Sequence, residues 1–482
     1  MPSIEPISHF DPFLFRTRAY LVDLLTPVVR VGVTGLARSG KTVFITALIQ
    51  TLTEGGAVPS FSRLRSINGF RAYLEPQPDD DVPRFAFEDH VAQLFADPPA
   101  WPESTRTISQ LRLTLEWNES SSRERLRRMD FTQRLHVDII DYPGEWLIDL
   151  SMLNKSYEDW SLDVLNVIQT SGMDALSASF LTFVEDLDPK TPVDEQTAIS
   201  GATIYTQFLV EARKRSKAGN VLGPGRFLMP GDLEGSPQLT FFPMNGTREM
   251  VALLERRFES YKANIVKPFF EKYFARLDRQ IVLVDVLSAL NGGAVALNEL
   301  EHGLENVLKA FRPGKNTWLS KLLTRRIDKI LFAATKADHV HATSRARLEA
   351  ILEKCVTRAA ERVRDSGGSF QCLAVSALRA TQDVEKNKSS ETFRCVRGIL
   401  EAGEVVSGER FDERKSGVIF PGDLPVDPLD AFDQEKAKAA HFHFARFAPP
   451  ILENKEDLGH PRPWPHINLD KAFSFLLGDY LP

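Results

Sequence analysis

The chain has 482 residues, enough for about three domains of ordinary size. Its 43% hydrophobic and 26% charged residues, with ordinary glycine and proline contents, exclude collagen-like, low-complexity and wholly disordered proteins. The formal net charge of −6 provides no overall positive field for nucleic acid or an anionic membrane, so we expect no nucleic-acid partner.

The three cysteines, Cys355, Cys372 and Cys395, form neither a CxxC pair nor a Cys/His zinc pattern, which favours a reducing cytoplasm. We expect neither an export signal nor a membrane span. Residues 12–29 have apolar side chains at helical spacing, which predicts a helix packed on its own domain, with a membrane surface or a partner as the alternative. The expected location is cytoplasmic, or peripheral to the inner membrane through a partner.

The first predicted elements are a strand, a glycine loop and a helix. Residues 29–34 are an apolar, β-branched run that ends at Gly35, and residues 42–51 have helical spacing. The proline-rich residues 52–104 are predicted to be irregular, with a short amphipathic helix at 85–95.

An antiparallel pair of strands is predicted next. Residues 110–117 alternate leucines with polar residues, and residues 135–140 form a second apolar run. The polar stretch 118–132 between them predicts a solvent-exposed connection.

The middle of the chain has helical rather than strand character. Helical spacing extends over roughly 157–186, 193–216 and 246–276. The simplest interpretation is a helical insertion.

Strands return at 281–287, 329–334 and 372–375, and helical patterns at 293–311 and 342–364 separate them. This alternation predicts an α/β fold in which a parallel sheet has helices on both faces.

The C-terminal part of the chain breaks into short extended pieces and ends in an apolar helix at 469–477. We predict a discontinuous core of residues 1–145 and 280–380. Residues 146–279 would form the helical insertion, and residues 381–482 a small appendage packed on the core.

A phosphate-binding loop is the strongest chemical signal in the sequence. Residues 35–42, GLARSGKT, satisfy G-x-x-x-x-G-K-[ST] between a predicted strand and a predicted helix. Its glycines let backbone N–H groups face phosphate oxygens at a helix N-terminus, while Lys41 bridges the outer phosphates and Thr42 binds Mg²⁺. The residues predicted for this cradle are Gly35, Ala37, Arg38, Ser39, Gly40, Lys41, Thr42 and Val43.

A second motif, Asp141-Tyr-Pro-Gly144, directly follows a predicted strand. We expect Asp141 to help hold Mg²⁺ and the Gly144 N–H to donate to a terminal phosphate. An Asp before a Pro-Gly turn is common in loops, so this motif indicates a nucleotide site only in combination with the phosphate-binding loop.

Two further loops have the chemistry to read a guanine base. Thr335, Lys336 and Asp338 follow one strand, and the Asp338 carboxylate can accept the adjacent N1–H and N2–H donors of guanine, which adenine lacks. The stem of Lys336 would cover the base plane. Ser376, Ala377 and Leu378 follow the next strand, and the Ala377 N–H would donate to the guanine O6.

Two other features receive no ligand role. Asp285 is the acidic end of a buried strand, and we expect it to cap a helix or lie at a sheet edge. His441 and His443 have no catalytic pattern around them, so we expect one face of a strand.

The four ordered motifs resemble those of Ras-like GTPases. The segments GLARSGKTVFITAL (35–48), DIIDYPGEWL (138–147), Trp101-Pro102 and RQIVLVDVLSALNGG (279–293) are similar to the YcjX-like family of bacterial stress-associated GTPase-like proteins. This resemblance implies a Ras-like P-loop NTPase core with an inserted helical domain. It also implies GTP and GDP binding with Mg²⁺ and slow hydrolysis of GTP.

The position after Gly144 departs from the Ras-like pattern, because Glu145 stands where many such enzymes have glutamine. An ionised glutamate cannot donate to the γ-phosphate and would repel it, so Glu145 either accepts a proton from the attacking water or leaves hydrolysis weak. Spacing favours Thr105 as the switch threonine that would bind Mg²⁺, with Thr107 as the rival. Arg106 or Arg38 could neutralise charge in the transition state.

The sequence as a whole predicts a slow GTPase that acts as a nucleotide-dependent switch with an unidentified protein effector or regulator, as a monomer or a nucleotide-dependent dimer. The alternative is a nucleotide-bound scaffold with negligible turnover. An ATP-dependent kinase is less favoured, because Asp338 and Ala377 suit guanine.

Overall fold

The computed structural model describes residues 26–35, 39–54, 64, 67–103, 107–119, 131–170, 174–187, 194–215, 223–245, 249–309, 327–365, 367–388, 391–406, 409–440, 442–452 and 464–482. Most of the helix predicted for 12–29 lies outside these residues. Its last two predicted positions belong instead to the first strand.

A seven-stranded sheet forms the centre of the fold. Its strands are β1 (Val28–Gly35), β2 (Arg71–Glu75), β3 (Ser109–Glu119), β4 (Phe131–Asp141), β5 (Arg279–Val284), β6 (Lys329–Ala334) and β7 (Ser369–Ala374). Their order is β2-β3-β4-β1-β5-β6-β7, with antiparallel β2–β3 and β3–β4 pairs and parallel pairs elsewhere. The predicted α/β fold with a mostly parallel sheet is therefore confirmed.

The parallel strands are continuous apolar runs because both faces of the sheet are covered. Ile281 of β5 and Leu331 of β6 pack into one hydrophobic cluster. The next residue on each strand, Val282 and Phe332, points to the opposite face and packs into the other. Successive side chains alternate between faces, so one short strand contributes to two cores.

Helices cover the sheet and fill the connection between β4 and β5. In the described part of the chain, the helices before β3 are α1 (Lys41–Thr53) and α2 (Phe87–Leu94). Between β4 and β5 lie α3 (Trp146–Asp149), α4 (Tyr157–Thr170), α5 (Asp174–Glu185), α6 (Glu195–Arg215), α7 (Gly225–Leu228), α8 (Glu249–Tyr261), a π-helical turn (Lys262–Val266) and α9 (Lys267–Lys272). Short 3-10 turns occur at Leu150–Asn154, Gly231–Leu233, Pro237–Leu239 and Phe274–Arg276. The predicted helical character of this region is confirmed.

These helices pack around buried aromatic side chains. The ring centroid of Trp160 lies 5.4 Å from that of Phe241 and 5.3 Å from that of Phe258. Tyr205 of α6 is fully buried beside Phe180 of α5, with 5.0 Å between the ring centroids. Large aromatic rings bury much apolar area per residue, which stabilises the packing of these helices against one another.

The remaining elements follow β5. The helices are α10 (Val286–Asn291), α11 (Gly293–Lys309), α12 (Arg345–Asp365), α13 (Gln434–Ala439) and α14 (Leu469–Leu477), with 3-10 turns at Ala337–His339, Ala342–Ser344 and Pro428–Phe432. The strands are β8 (Thr381–Lys388), β9 (Glu391–Leu400), β10 (Glu404–Val406), β11 (Glu409–Phe411) and β12 (Lys415–Ile419). They form a three-stranded antiparallel sheet, β12-β9-β8, and a β10–β11 pair.

Helix α14 closes one face of the large sheet. Phe473, Leu476 and Leu477 line a small apolar cavity together with Val31 of β1 and Phe44 of α1. The apolar helix predicted for 469–477 is confirmed, and it packs against elements from the beginning of the described chain.

Three local predictions differ from the structure. Strand β2 lies in the stretch predicted to be irregular, and β5 ends at Val284 rather than at 287 because Asp285 begins a helix. The prediction of a strand around His443 is wrong. Residues 442–446 have no regular structure, and Phe447 makes only an isolated bridge to Leu400. His441 lies outside the described residues. Among the described helices, none combines the length and apolar character needed to cross a bilayer.

Candidate functional site

The predicted motifs meet at one edge of the large sheet. Strands β1, β4, β5, β6 and β7 are parallel, so their carboxyl ends lie side by side. Val33 of β1 pairs with Asp141 of β4, and Gly35 of β1 pairs with Leu283 of β5. Loops at the carboxyl ends of parallel strands are the usual place for ligands in such folds.

The phosphate-binding loop needs glycine at both of its ends. A Cβ at Gly35 would lie 2.3 Å from the Ser39 Oγ and 2.6 Å from the Leu283 carbonyl oxygen. Gly40 has φ of +82°, the left-handed region that strongly favours glycine, and Lys41 immediately begins α1. Ser39 therefore lies directly against Gly35, and the chain from Ser39 leads into the N-terminus of a 13-residue helix.

Two polar side chains of this loop are buried. The Ser39 hydroxyl is buried and has no hydrogen-bond partner within the described part of the chain. The Lys41 side chain is also buried, with 8% of its surface exposed. Buried polar groups are normally satisfied, so an anion that accepts from this hydroxyl and ammonium would fit the loop. Val43 lies in the first turn of α1, whereas Ala37 and Arg38 lie outside the described residues.

Hard oxygen donors for a metal stand beside the loop. Asp141 is the last residue of β4 and is 1% exposed, and the Thr42 hydroxyl donates to the Glu103 carbonyl oxygen at 3.4 Å. Within the described residues, no group of three or more His, Cys, Asp or Glu side chains is arranged so that it could hold a metal ion by itself. One hydroxyl and one carboxylate suit Mg²⁺, which is usually held by few protein ligands together with substrate phosphates.

The turn after β4 touches the phosphate-binding loop directly. The Gly144 N–H, predicted to donate to a phosphate, donates here to the Gly35 carbonyl oxygen at 3.3 Å. The Tyr142 N–H donates to the Val33 carbonyl oxygen at 3.3 Å. The Tyr142 hydroxyl donates to Gln280 at 2.8 Å, and burial raises its pKa well above the usual value.

The side chain of Glu145 faces the inserted helices. It is 1% exposed and forms an ion pair with Arg213 near the end of α6. Arg213 lies 68 positions further along the chain, so no local spacing pattern could have indicated it.

The short helix α3, which follows Glu145, is held by the same group of helices. The Arg226 guanidinium lies 3.3 Å from the centre of the Trp146 ring, and the Trp146 Nε1–H donates to the Met229 carbonyl oxygen at 3.3 Å. A Cβ at Gly225 would lie 2.1 Å from the Glu145 carbonyl oxygen. Glycine at this position therefore allows α7 to approach the turn at backbone distance.

Asp149, at the end of α3, is a buried carboxylate. It accepts from the Gly225 N–H at 2.6 Å and from the Tyr261 hydroxyl at 2.6 Å. Burial raises the pKa of Asp149 from 3.8 to about 6, although these donors and the nearby Arg226 favour the ionised form.

The two loops predicted to read the base are joined to each other. Asp338 is 2% exposed, and its carboxylate accepts from the Ala380 N–H at 2.8 Å. The Ala337 N–H donates to the Val375 carbonyl oxygen at 3.2 Å. Ser376 donates through its hydroxyl to the Leu378 carbonyl oxygen at 3.1 Å, which closes the second loop on itself.

Lys336 is held by the residue that ends the neighbouring strand. Its φ of +59° is left-handed, and its ammonium pairs with Asp285. Asp285 also caps α10 by accepting from the Ser288 N–H at 3.1 Å, so its expected capping role is confirmed. The pairing with Lys336 was not predicted, although β5 and β6 are adjacent in the sheet. Thr335 follows β6 and donates its N–H to the Val284 carbonyl oxygen at 3.0 Å.

A segment near the C-terminus supports the second base loop. Ser376 and Ile467 exchange two backbone hydrogen bonds, of 3.1 and 2.8 Å. The Asn468 side chain donates to the Ala374 carbonyl oxygen at 2.8 Å. Ala377 itself is half-buried beside this segment.

The residues predicted to sense the γ-phosphate come shortly before β3 in the sequence. Thr105 and Arg106 lie outside the described residues, while Thr107 is half-buried just before β3. The structure thus brings together Gly35, Asp141, Gly144 and the two base loops.

Comparison with known proteins shows which family the chain belongs to. The sequence profile of the YcjX-like family, DUF463, matches residues 29–481. A protein of Escherichia coli (strain K12) named Ras-like GTPase YcjX is 34% identical over 470 residues, covering 94% of this chain and 96% of that protein. A protein of the same name from Shewanella oneidensis is 32% identical over 482 residues, covering 94% of both. Since the profile and both relatives match almost the whole length, the chain belongs to the YcjX-like family.

Proposed function

We propose that the chain binds GTP and GDP with Mg²⁺, hydrolyses GTP slowly and acts as a nucleotide-dependent conformational switch. The observation that carries this proposal is the meeting of the phosphate-binding loop, the Asp141–Gly144 turn and two base loops at one sheet edge. The name Ras-like GTPase given to both relatives supports it.

The phosphate-binding loop would hold the phosphates of the nucleotide. Backbone N–H groups of residues 35–42 and the dipole of α1 favour a polyanion, and the Lys41 ammonium neutralises the outer phosphates. The unsatisfied Ser39 hydroxyl supplies a further donor. Thr42 and Asp141 would hold Mg²⁺, which neutralises charge on the phosphate oxygens when bound.

The base would lie between the two joined loops. Asp338 accepts the paired guanine donors, Lys336 covers the ring with its stem, and the Ala377 N–H donates to O6. The hydrogen bond from the Ala380 N–H orients the Asp338 carboxylate from the side of the protein. Adenine has no donor pair for this carboxylate and is therefore disfavoured.

Hydrolysis breaks the bond between the γ-phosphorus and the bridging oxygen after water attacks in line, giving GDP and phosphate. The Gly144 N–H would turn from Gly35 to the γ-phosphate. Glu145 cannot donate to that phosphate as glutamine could, so turnover is slow. Thr105, with Thr107 as the alternative, would report the γ-phosphate, and Arg106 or Arg38 would neutralise charge in the transition state.

The helical insertion, residues 146–279, would transmit the nucleotide state. Glu145 and helix α3 directly follow the turn at Gly144. They contact α6 through Glu145, α7 through Trp146 and α8 through Asp149. A shift of this turn must therefore move or strain the insertion. Together with the core of 1–145 and 280–380 and the appendage of 381–482, the insertion would present a surface to a cytoplasmic effector, in a stress response.

A scaffold with negligible turnover is the second candidate. The ion pair between Glu145 and Arg213 favours it, because the carboxylate that could accept a proton from water is already engaged. A protease-sensitivity comparison separates the two: a switch gives different cleavage patterns with GDP and with a non-hydrolysable GTP analogue, and a scaffold gives the same pattern.

The proposal is tested by calorimetric titration with GTP, GDP, ATP and XTP, combined with single-turnover hydrolysis of GTP. We expect tight binding of GTP and GDP, weak binding of ATP and slow formation of GDP. Asp338→Asn replaces an acceptor by a donor and should shift the preference from GTP to XTP, and Lys41→Ala should abolish triphosphate binding. Equal affinity of the wild-type protein for ATP and GTP would contradict the role of Asp338.

A further inference from the structure

The ion pair between Glu145 and Arg213 joins the nucleotide edge of the sheet to helix α6. Glu145 follows Gly144, whose N–H contacts the phosphate-binding loop at Gly35. Its carboxylate is buried, and a buried carboxylate needs a counter-charge. Arg213 supplies that charge from outside the sheet and its loops.

The packing of α6 fixes where Arg213 can reach. Leu209 and Ala212, which lie in the turn of α6 just before Arg213, are buried at 2% and 4% exposure. Tyr205, two turns earlier, is fully buried and donates its hydroxyl to the Gly223 carbonyl oxygen at 2.7 Å. The guanidinium is therefore presented to Glu145 by a helix whose inner face is set in the aromatic core.

We propose that Arg213 is the positioning residue that makes the site accept a third phosphate. By pairing with Glu145 it holds the carboxylate toward α6 and neutralises it, so that a γ-phosphate can lie beside the Gly144 N–H. This inference rests on the proposed binding of GTP and adds that the insertion sets the choice between GTP and GDP.

The argument is electrostatic and selective for the triphosphate. Without the Arg213 guanidinium, the buried Glu145 carboxylate would repel a γ-phosphate bound at the neighbouring Gly144 N–H, because screening by water is weak inside the protein. GDP has no phosphate at that position and would be affected little. A variant that is partly unfolded, by contrast, would bind GDP and the GTP analogue less tightly by the same factor.

The experiment measures the affinities for GDP and for a non-hydrolysable GTP analogue in the full-length protein. Arg213→Met keeps most of the aliphatic stem and removes the charge. We expect it to lower the affinity for the GTP analogue at least about tenfold more than the affinity for GDP, so that the ratio of the two affinities falls by that factor. Adding Glu145→Gln to Arg213→Met removes the repelling carboxylate and should restore the ratio. Arg213→Lys keeps the positive charge and should change the ratio by less than about threefold.

A matched control exists in the same group of helices. Arg257 of α8 pairs with Glu195 at the start of α6. Arg257→Met therefore breaks another arginine–glutamate pair that holds α6, in this case with an exposed glutamate and away from the turn at Gly144. It should leave the ratio unchanged.

Each remaining outcome counts against the inference. Equal losses for both nucleotides in Arg213→Met, or no loss, would overturn it, as would failure of Glu145→Gln to restore the ratio. If Arg213→Met does not fold, Glu145→Gln alone decides: it should leave the GTP analogue bound at least as well as in the wild-type protein, and weaker binding would overturn the inference. Absence of binding of either nucleotide to the wild-type protein would instead remove the proposed function itself.

Discussion

Asp285 performs two tasks at the scale of a single residue. One carboxylate oxygen accepts from the Ser288 N–H and caps α10, while the other pairs with the Lys336 ammonium. Lys336 has left-handed backbone, so its side chain leaves the loop in an unusual direction and gains from a fixed partner. We infer that Asp285 orients the stem that would cover the base.

The two tasks can be separated by Asp285→Ser, because serine is also a good N-cap but carries no charge. We expect the affinity for GDP to fall about fivefold, the size typical of a partly exposed ion pair. The preference for guanine over xanthine should not change, since Asp338 is untouched. Asp433→Ser, which alters the N-cap aspartate of α13, is the control. Unchanged GDP affinity, measured by calorimetry, would contradict the role of Asp285.

At the scale of an element, α3 is a four-residue helix that the insertion holds from several sides. Asp149 is central to this arrangement, because it joins α3 to Gly225 and to Tyr261. Its pKa is raised to about 6, so the folded protein binds the Asp149 proton more tightly than the unfolded chain does. This contribution to stability is fully present below pH 3.8 and is lost as the pH rises through about 6.

Asp149→Asn should remove this dependence on pH. Between pH 4 and pH 6, the wild-type protein should lose stability relative to the variant by up to about 1.4 kcal/mol per pH unit. Urea unfolding midpoints of both proteins at several pH values would measure the difference. The exposed Asp163 supplies a control substitution, Asp163→Asn. A constant difference between wild type and Asp149→Asn at all pH values would refute the assignment.

At the scale of the whole molecule, the C-terminal residues pack against elements from the beginning and the middle of the described chain. Helix α14 contributes Phe473 and Leu476 to the cluster that contains β1 and α1, and the segment just before it pairs with Ser376. The sheet core and a base loop therefore both depend on residues after 464.

Phe473→Ala should destabilise the whole sheet, because Phe473 is 2% exposed and its loss leaves a cavity. We expect a loss of about 3 to 5 kcal/mol, visible as a lower midpoint of urea unfolding. Ser474→Ala, on the exposed side of the same helix, should change the free energy of unfolding by less than about 0.5 kcal/mol. Similar midpoints for the two variants would show that α14 does not hold the sheet together.

The predictable part of this protein consists of local patterns. Continuous apolar runs predicted the parallel strands, and glycines at fixed spacing in GLARSGKT predicted the phosphate-binding loop. Strand β2, with sequence RAYLE, has no such run, because it lies at the sheet edge and pairs on one side only. The pairs Glu145–Arg213 and Ser376–Ile467 join residues far apart in sequence, which no local spacing can encode.

The position of α14 has a consequence for biosynthesis. A ribosome must add some four hundred residues after α1 before α14 exists, which takes roughly 20 to 80 s at ordinary elongation rates. Throughout that time the apolar side chains of β1 and α1 that pack against Phe473, Leu476 and Leu477 lack this helix. We therefore expect newly made chains to expose this surface, and to be open to aggregation or chaperone binding, for longer than a protein whose early strands are covered by early helices.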